Sequence, residues 1–251
     1  STAAGVWTLS NINKVGLTSN VNTTALYAHN IKLDSNRTFF YTRGTLVVGR
    51  IHDVSTNTWG AETTIFPTST SQSAWGIKTI TDQLCFVTMN GTNHLTVVCT
   101  CTGTSISVGT IVTTAASSLT MASCPNAQGI TYVNSAVCFT YGDATNFNQY
   151  IRAIIISGTV PVLGTEVVLP GSGASNPKNL YLFSTGNIVR VVGAWSGSGG
   201  LFVRPFTVSG FTLTGGTAAT YTPGAFTGDR FSCFQNSNGN IIIIMITGIS
   251  L

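Results

Sequence analysis

The chain has 251 residues, of which 43% are hydrophobic and only 7% are Asp, Glu, Lys or Arg. That apolar content excludes a disordered chain, and no run approaches the about 18 apolar residues that a membrane helix needs. The net charge of +4 comes from 11 Lys and Arg with no run of three, which excludes a clustered basic face for nucleic acid.

Short β-branched and aromatic runs, punctuated by Gly, Asn and Ser, predict strands throughout and no helix. The first group is Ala25–Leu33, Arg37–Arg43, Leu46–Val54 and Trp59–Phe66. The second is Ala74–Thr81, Gln83–Met89, His94–Thr102 and Ser105–Thr114. The third is Ala127–Val133, Ala136–Tyr141, Tyr150–Ser157 and Pro161–Leu169. The fourth is Asn179–Phe183, Asn187–Ala194, Leu201–Val208 and Phe211–Tyr221. The fifth has Arg230–Gln235 and Asn240–Ile246, and borrows Gly5–Leu9 and Lys14–Val21 from the other end.

One pattern recurs in these groups: an apolar strand, a tight turn, then a strand carrying Gly before a small residue. It spans Thr45–Phe66, His94–Thr114, Tyr150–Pro170 and Leu201–Tyr221, and appears again over Gly5–Val21. The marker glycines are Gly16, Gly60, Gly109, Gly164 and Gly215. Their spacing, about 44 to 55 residues, is that of propeller blades. From Gly215 through Leu251 and on from Ser1 to Gly16 is about 52 residues, one further period. The expected fold is a single all-β domain over residues 1–251, a five-bladed β-propeller of four-stranded blades. A blade split between the N- and C-termini closes the ring. The blades cover 22–67, 68–116, 117–170, 171–221, and 222–251 with 1–21. Each marker glycine is expected at a bulge or tight crossing on the outermost strand, where a Cβ would interfere.

This strand order divides the connections between two rims. The short ones, such as Asp34-Ser35-Asn36, Asn134-Ser135, Ser157-Gly158-Thr159 and Ser209-Gly210, share one rim. The long ones, including Gly142–Gln149, Trp195–Gly200, Ala115–Asn126 and Thr222–Asp229, share the other. Long loops on a rigid scaffold are where binding residues collect.

Catalytic chemistry is thinly supplied. The chain has seven carboxylates. Asp34 and Asp82 fall in short-rim turns, Asp53 ends a strand, and Glu62 and Glu166 each follow a marker Gly by two positions. Only Asp143 and Asp229 map to the long-loop rim, whereas glycoside hydrolysis needs two carboxylates at a defined separation. His29, His52 and His94 lie in three different strand contexts. No metal motif, phosphate loop or dinucleotide fingerprint occurs, so no cofactor and no metal are expected. Cys85, Cys138 and Cys233 sit in apolar strands of different blades and read as free buried thiols. No basic-then-apolar leader opens the sequence at Ser1.

The aromatic residues point to a binding face. Trp75 opens a strand after an interblade loop, Trp195 lies among Gly and Ser, and Phe147 and Tyr150 flank Asn146 and Asn148. Rings beside amides and hydroxyls suit sugar faces. For Trp75 the alternative is a ring that seals a blade interface. With Asp143, Asp229 and Arg230, these residues form the expected binding set.

The stretch IRAIIISGTVPVLGTEVVLP and the phrase TVSGFTLTGGTAATYT resemble repeats of tail, fibre and head-decoration proteins of tailed bacteriophages. The ring of five repeats is also similar to five-bladed lectins of the tachylectin type, which place one sugar site per blade. Here Trp75, Asn126, Lys178 and Arg230 occupy the corresponding interblade positions and differ chemically. The first resemblance implies a non-enzymatic virion protein, attached to capsid or tail or displayed toward a host surface, with other virion proteins and a host-surface glycan as partners. The second implies a soluble, secreted carbohydrate-binding lectin. A propeller glycosidase is the minor alternative. Nucleic acid and membrane insertion are not expected.

Overall fold

A computed structural model describes residues 27–43, 46–67, 74–90, 93–115, 129–142, 149–169, 180–194, 200–221 and 231–245. The predicted strands Gly5–Leu9 and Lys14–Val21 lie outside them. The described residues form four five-stranded antiparallel sheets and one two-stranded sheet, taken in strict chain order.

The first sheet is β1 (Tyr27–Lys32), β2 (Arg37–Arg43), β3 (Val47–Asp53), β4 (Thr58–Trp59) and β5 (Thr63–Phe66). The second is β6 (Trp75–Lys78), β7 (Gln83–Asn90), β8 (Asn93–Thr102), β9 (Ser105–Val108) and β10 (Val112–Ala115). The third is β11 (Ile130–Val133), β12 (Ala136–Gly142), β13 (Gln149–Ser157), β14 (Val160–Leu163) and β15 (Val167–Val168). The fourth is β16 (Leu180–Thr185), β17 (Ile188–Ala194), β18 (Leu201–Ser209), β19 (Thr212–Gly215) and β20 (Ala219–Tyr221). The last pairs β21 (Phe231–Gln235) with β22 (Ile241–Met245).

Each five-stranded sheet is an up-and-down meander whose predicted fourth strand is broken in two. Both pieces pair with the same third strand, as β14 and β15 do with β13. The break falls at the marker glycine. Gly60, Gly109 and Gly164 donate their N–H to the carbonyls of Ile51, Val98 and Ala153 at 2.8, 2.9 and 2.8 Å. In the fourth sheet the equivalent bond, to Pro205 at 2.8 Å, comes from Gly216 and not from the expected Gly215. Gly215 is still a ladder residue opposite Phe206.

The glycine is required by the neighbouring sheet. A Cβ on Gly60 would stand 1.9 Å from the Thr104 carbonyl oxygen, and one on Gly164 would stand 2.3 Å from that of Phe211. On Gly109 it would be 2.9 Å from the Thr159 oxygen. Thr104, Thr159 and Phe211 each belong to the turn joining third and fourth strands one sheet further on. Those turns are two-residue loops, Gly103-Thr104, Gly158-Thr159 and Gly210-Phe211, fixed by the pairs Thr102↔Ser105, Ser157↔Val160 and Ser209↔Thr212. Their glycines have φ of 57°, 63° and 57°, the first position of a type II′ hairpin, whose twist suits the flanking strands. Each of these three outer strands therefore docks on the hairpin of the next sheet.

Alternation along the strands gives every inner sheet two buried faces, and the core divides into clusters between consecutive sheets. Phe39, Ile51 and Ile65 meet Leu84, Phe86 and Val97 between the first and second. Trp75, Cys85 and Val87 meet Phe139, Tyr141 and Ile154 between the second and third. Cys138, Ile151 and Ala153 meet Leu182, Val189 and Phe202 next. Tyr181, Phe183 and Val192 meet Phe231 and Cys233 last. Among the described residues Cys85, Cys99, Cys101, Cys138 and Cys233 are free and buried. Burial pushes the Cys138 and Cys233 thiols up to about 12 and the Cys101 thiol to about 11. Cys124 lies outside the described residues.

Polar bonds cross from sheet to sheet along the short-loop rim. Arg37 donates to the Gly103 carbonyl at 3.1 Å, pairs with Asp34 at 2.6 Å and also contacts Asp82. Gln83 donates to the Gly158 carbonyl at 2.9 Å, and Asn134 to that of Val208 at 3.0 Å. Gln235 donates to the Thr185 hydroxyl at 2.8 Å. The Asn36 N–H, then Arg37, hold the Asp34 carboxyl below its ordinary range.

Candidate ligand-binding site

An arginine recurs on the third strand, at the position before the residue that accepts the marker glycine's N–H. Arg50, Arg152 and Arg204 donate Nε–H to the carbonyls of Gly60, Gly164 and Gly216 at 2.8, 2.7 and 3.2 Å. The second sheet has Val97 there, buried in the first core cluster. In each case the guanidinium closes the kink left by the broken strand.

Arg152 does more than its counterparts. It is 8% exposed and lies on the β13 face turned toward the second sheet. Its Nη1 donates to His94 Nδ1 on β8 at 3.2 Å, and approaches Glu166 Oε1 at 3.6 Å. A guanidinium only donates, so Nδ1 accepts and the neutral imidazole carries its proton on Nε2. His94 is fully buried and meets the Phe139 and Tyr141 rings edge-on, with centroids 5.3 and 4.4 Å away. Burial first, and the Arg152 charge second, push the His94 pKa down to about 3. Burial, then the Glu166 carboxylate, push the Tyr141 phenol well above its usual range.

Beside this cluster an open pocket of about 540 Å³ is formed by the outer part of the third sheet and the hairpin of the fourth. Arg152, Thr165, Glu166 and Leu163 line it with Gly164, and Phe211 reaches in from the next sheet's hairpin. Phe211 is half exposed, while its backbone is held by the close approach of Gly164.

The expected binding residues divide into two groups. Trp75 is 3% exposed and Tyr150 is 8% exposed. Both belong to the cluster between the second and third sheets, with the Trp75 ring 6.3 Å from His29 and Tyr150 stacked on Tyr141 at 5.3 Å. For Trp75 the interface-sealing alternative is the one observed, and Tyr150 is a packing residue too. Burial removes both from the exposed binding set. Asp143, Asn146, Phe147, Asn148, Trp195, Asp229 and Arg230 lie outside the described residues.

Three of the described carboxylates serve the framework. Asp34 and Asp82 hold Arg37, and Asp53 accepts from the Ser55 N–H and hydroxyl at 2.9 and 2.6 Å within its own turn. Among the described residues no group of three or more His, Cys, Asp or Glu is placed to hold a metal. No described helix is long and apolar enough to cross a membrane.

No protein-family model and no curated protein matches the chain. Among solved structures it is similar to a neuraminidase-like protein of A/little yellow-shouldered bat/Guatemala, at 14% identity and a TM-score of 0.48. That match covers 76% of this chain and 58% of the other. The SapL1 lectin in complex with alpha methyl fucoside matches at 12% identity and a TM-score of 0.49, over 88% and 80% of the two chains. A post-proline cleaving enzyme from Rickettsia typhi matches at 10% identity and 0.38, over 87% and 32%. This chain thus spans little more than half the length of the neuraminidase-like protein.

Proposed function

We propose that this is a non-catalytic binding protein on a closed five-bladed propeller, acting as an attachment or structural component of a tailed-phage virion. The supporting observation is how its few charges are used. Arg37, Asp34 and Asp82 fasten sheet to sheet on the short rim, and Arg152 and Glu166 brace an outer strand. A framework fixed in this way leaves the opposite rim, with its longer loops, to vary for recognition. The thin charge suits a particle exposed to changing salt, since few ion pairs are there to be screened.

Closure is supported by the two end sheets. The β21–β22 face turned away from the fourth sheet exposes Phe234, Ile242 and Ile244 at 47, 38 and 54%. At the other end, the β2–β3 face turned away from the second sheet carries half-buried Phe40, Arg50, His52 and Trp59. There the His52 and Trp59 rings stack at 4.3 Å, and Arg50 lies 5.7 Å over Trp59. Bringing these faces together buries both and completes the ring. Removal of Ser1–Val21 is then expected to abolish the cooperative melting transition, because a split blade loses its outer strands. A truncated chain that melts like the full one refutes closure.

A soluble lectin is the second reading, favoured by the pocket that sets Phe211 beside Arg152 and Glu166. The two readings share the recognition of a surface glycan and differ in where the protein resides. Mass spectrometry of purified virions should find the chain in stoichiometric amount if it is a virion component. On a glycan array, Trp195→Ala is expected to weaken binding by about 1–3 kcal/mol through lost stacking, with melting nearly unchanged. Absence from virions together with a blank array defeats both readings. A catalytic role for Asp143 and Asp229 would then be the one to test.

A further inference from the structure

We infer that the pocket formed by the outer part of the third sheet and the Phe211 hairpin binds a neutral sugar ring through Arg152, Glu166 and Phe211. The inference rests on the binding reading above and adds a ligand class and a place that the long-loop rim does not supply.

The polar wall is a built one. Arg152 is held at three points, by its bonds to Gly164 and His94 and by its approach to Glu166. Its counterpart Arg50 has the bond to the marker-glycine carbonyl but stands over Trp59, and Arg204 lies over Phe206 and reaches Val168. A guanidinium carries five N–H donors, and the bonds to Gly164 and His94 use Nε and Nη1. A carboxylate offers about four acceptor positions. A fixed donor edge beside a fixed acceptor matches adjacent hydroxyls, each of which both donates and accepts. Water can fill such a site, but a vicinal diol bridges both groups with one rigid ligand.

Charge favours a neutral ligand. Arg152 and Glu166 carry opposite unit charges 3.6 Å apart, so the pair presents no net charge to an anion or a cation and acts on a nearby ligand as a local dipole. The remaining wall supplies the apolar contact. Phe211 is 50% exposed, and its backbone is pinned where the neighbouring outer strand docks, so it offers a CH face a ready-placed ring. A volume of about 540 Å³ falls within the range of small-ligand sites and admits one or two sugar rings.

The test titrates the full chain with galactose, mannose, fucose and N-acetylglucosamine, and with glucuronic acid and inorganic phosphate as anionic probes. Ligand-observed NMR or calorimetry serves as the readout. A neutral sugar is expected to saturate one site in the millimolar range. Phe211→Ala and Glu166→Gln should each weaken it about tenfold, the loss of one stacking or charge-assisted contact. Both variants should melt cooperatively, since Phe211 is half exposed and Glu166 is isosteric with Gln. Arg50→Ala removes the corresponding arginine of another sheet and should leave sugar affinity unchanged. The inference is overturned if no neutral sugar saturates, if both pocket variants bind like the parent, or if only the anionic probes bind. A positive glycan array that is insensitive to Phe211→Ala overturns this pocket alone and leaves the rim reading standing.

Discussion

Gly60→Ala is expected to cost at least about 3 kcal/mol of folding stability, more than a typical overpacked core site. The added methyl would lie 1.9 Å from the Thr104 carbonyl oxygen and 2.9 Å from its carbon, both backbone atoms of the next sheet. No side-chain rotation relieves such an overlap. The outer strand has to lift from the hairpin it docks on, which breaks the Gly60 bond to Ile51 and opens the first cluster beneath. Gly103→Ala is the informative contrast. Nothing lies within 4 Å of a Cβ there, and the cost is only that of a side chain at φ 57°, about 1–2 kcal/mol. Urea unfolding of the two variants separates steric docking from backbone conformation. Equal losses would mean that marker glycines serve turn geometry alone.

The second large effect is on acid stability. Folded His94 titrates near 3, against 6.5 for an exposed imidazole. Between those values the unfolded chain takes up a proton that the folded chain refuses. Stability therefore falls as pH drops through that window, by about 1.4 kcal/mol for each full pH unit. His94→Gln keeps an acceptor for Arg152 and removes the titration. The variant should start less stable at neutral pH, through lost ring packing, yet decline less steeply between about pH 6 and 4, the middle of the shift. Asp34 and Asp53 have depressed carboxyl pKa values, and their contributions are lost only at lower pH, in parent and variant alike. Parallel acid limbs would show that His94 is protonated without unfolding.

Strands and hairpins were legible because each is written locally. Alternation sets a strand, and Gly or Asn-Ser at a two-residue loop sets its turn; Asn134 and Ser135, both at positive φ, are an example. The break in each fourth strand was not, since Gly60 reads as a strand residue until the Thr104 carbonyl is brought against it. The arginine series is not legible in the sequence because its link to the marker glycine spans a hairpin of variable length. Arg50 precedes Gly60 across a longer turn and a shorter strand than Arg152 precedes Gly164. Trp75 illustrates the limit for the site. Its place after a long loop suggested exposure, but His29 from the first sheet and Tyr150 from the third fill the space around it. Phe211 reads in the sequence only as the opening residue of a strand, because the pocket it completes belongs mostly to the preceding sheet.

The docking of the first three outer strands on the following hairpins has a direction, and that direction bears on how the chain is made. Gly60 waits for Thr104, Gly109 for Thr159, and Gly164 for Phe211, each a whole sheet further along the ribosome's message. A growing chain therefore always carries one unfinished edge, the most recently synthesised outer strand, and every new hairpin caps the one before it. Pausing between blades would leave that edge open to strand exchange with a neighbouring nascent chain. Synthesis in chain order acts as a ratchet that advances one sheet at a time through the first four sheets.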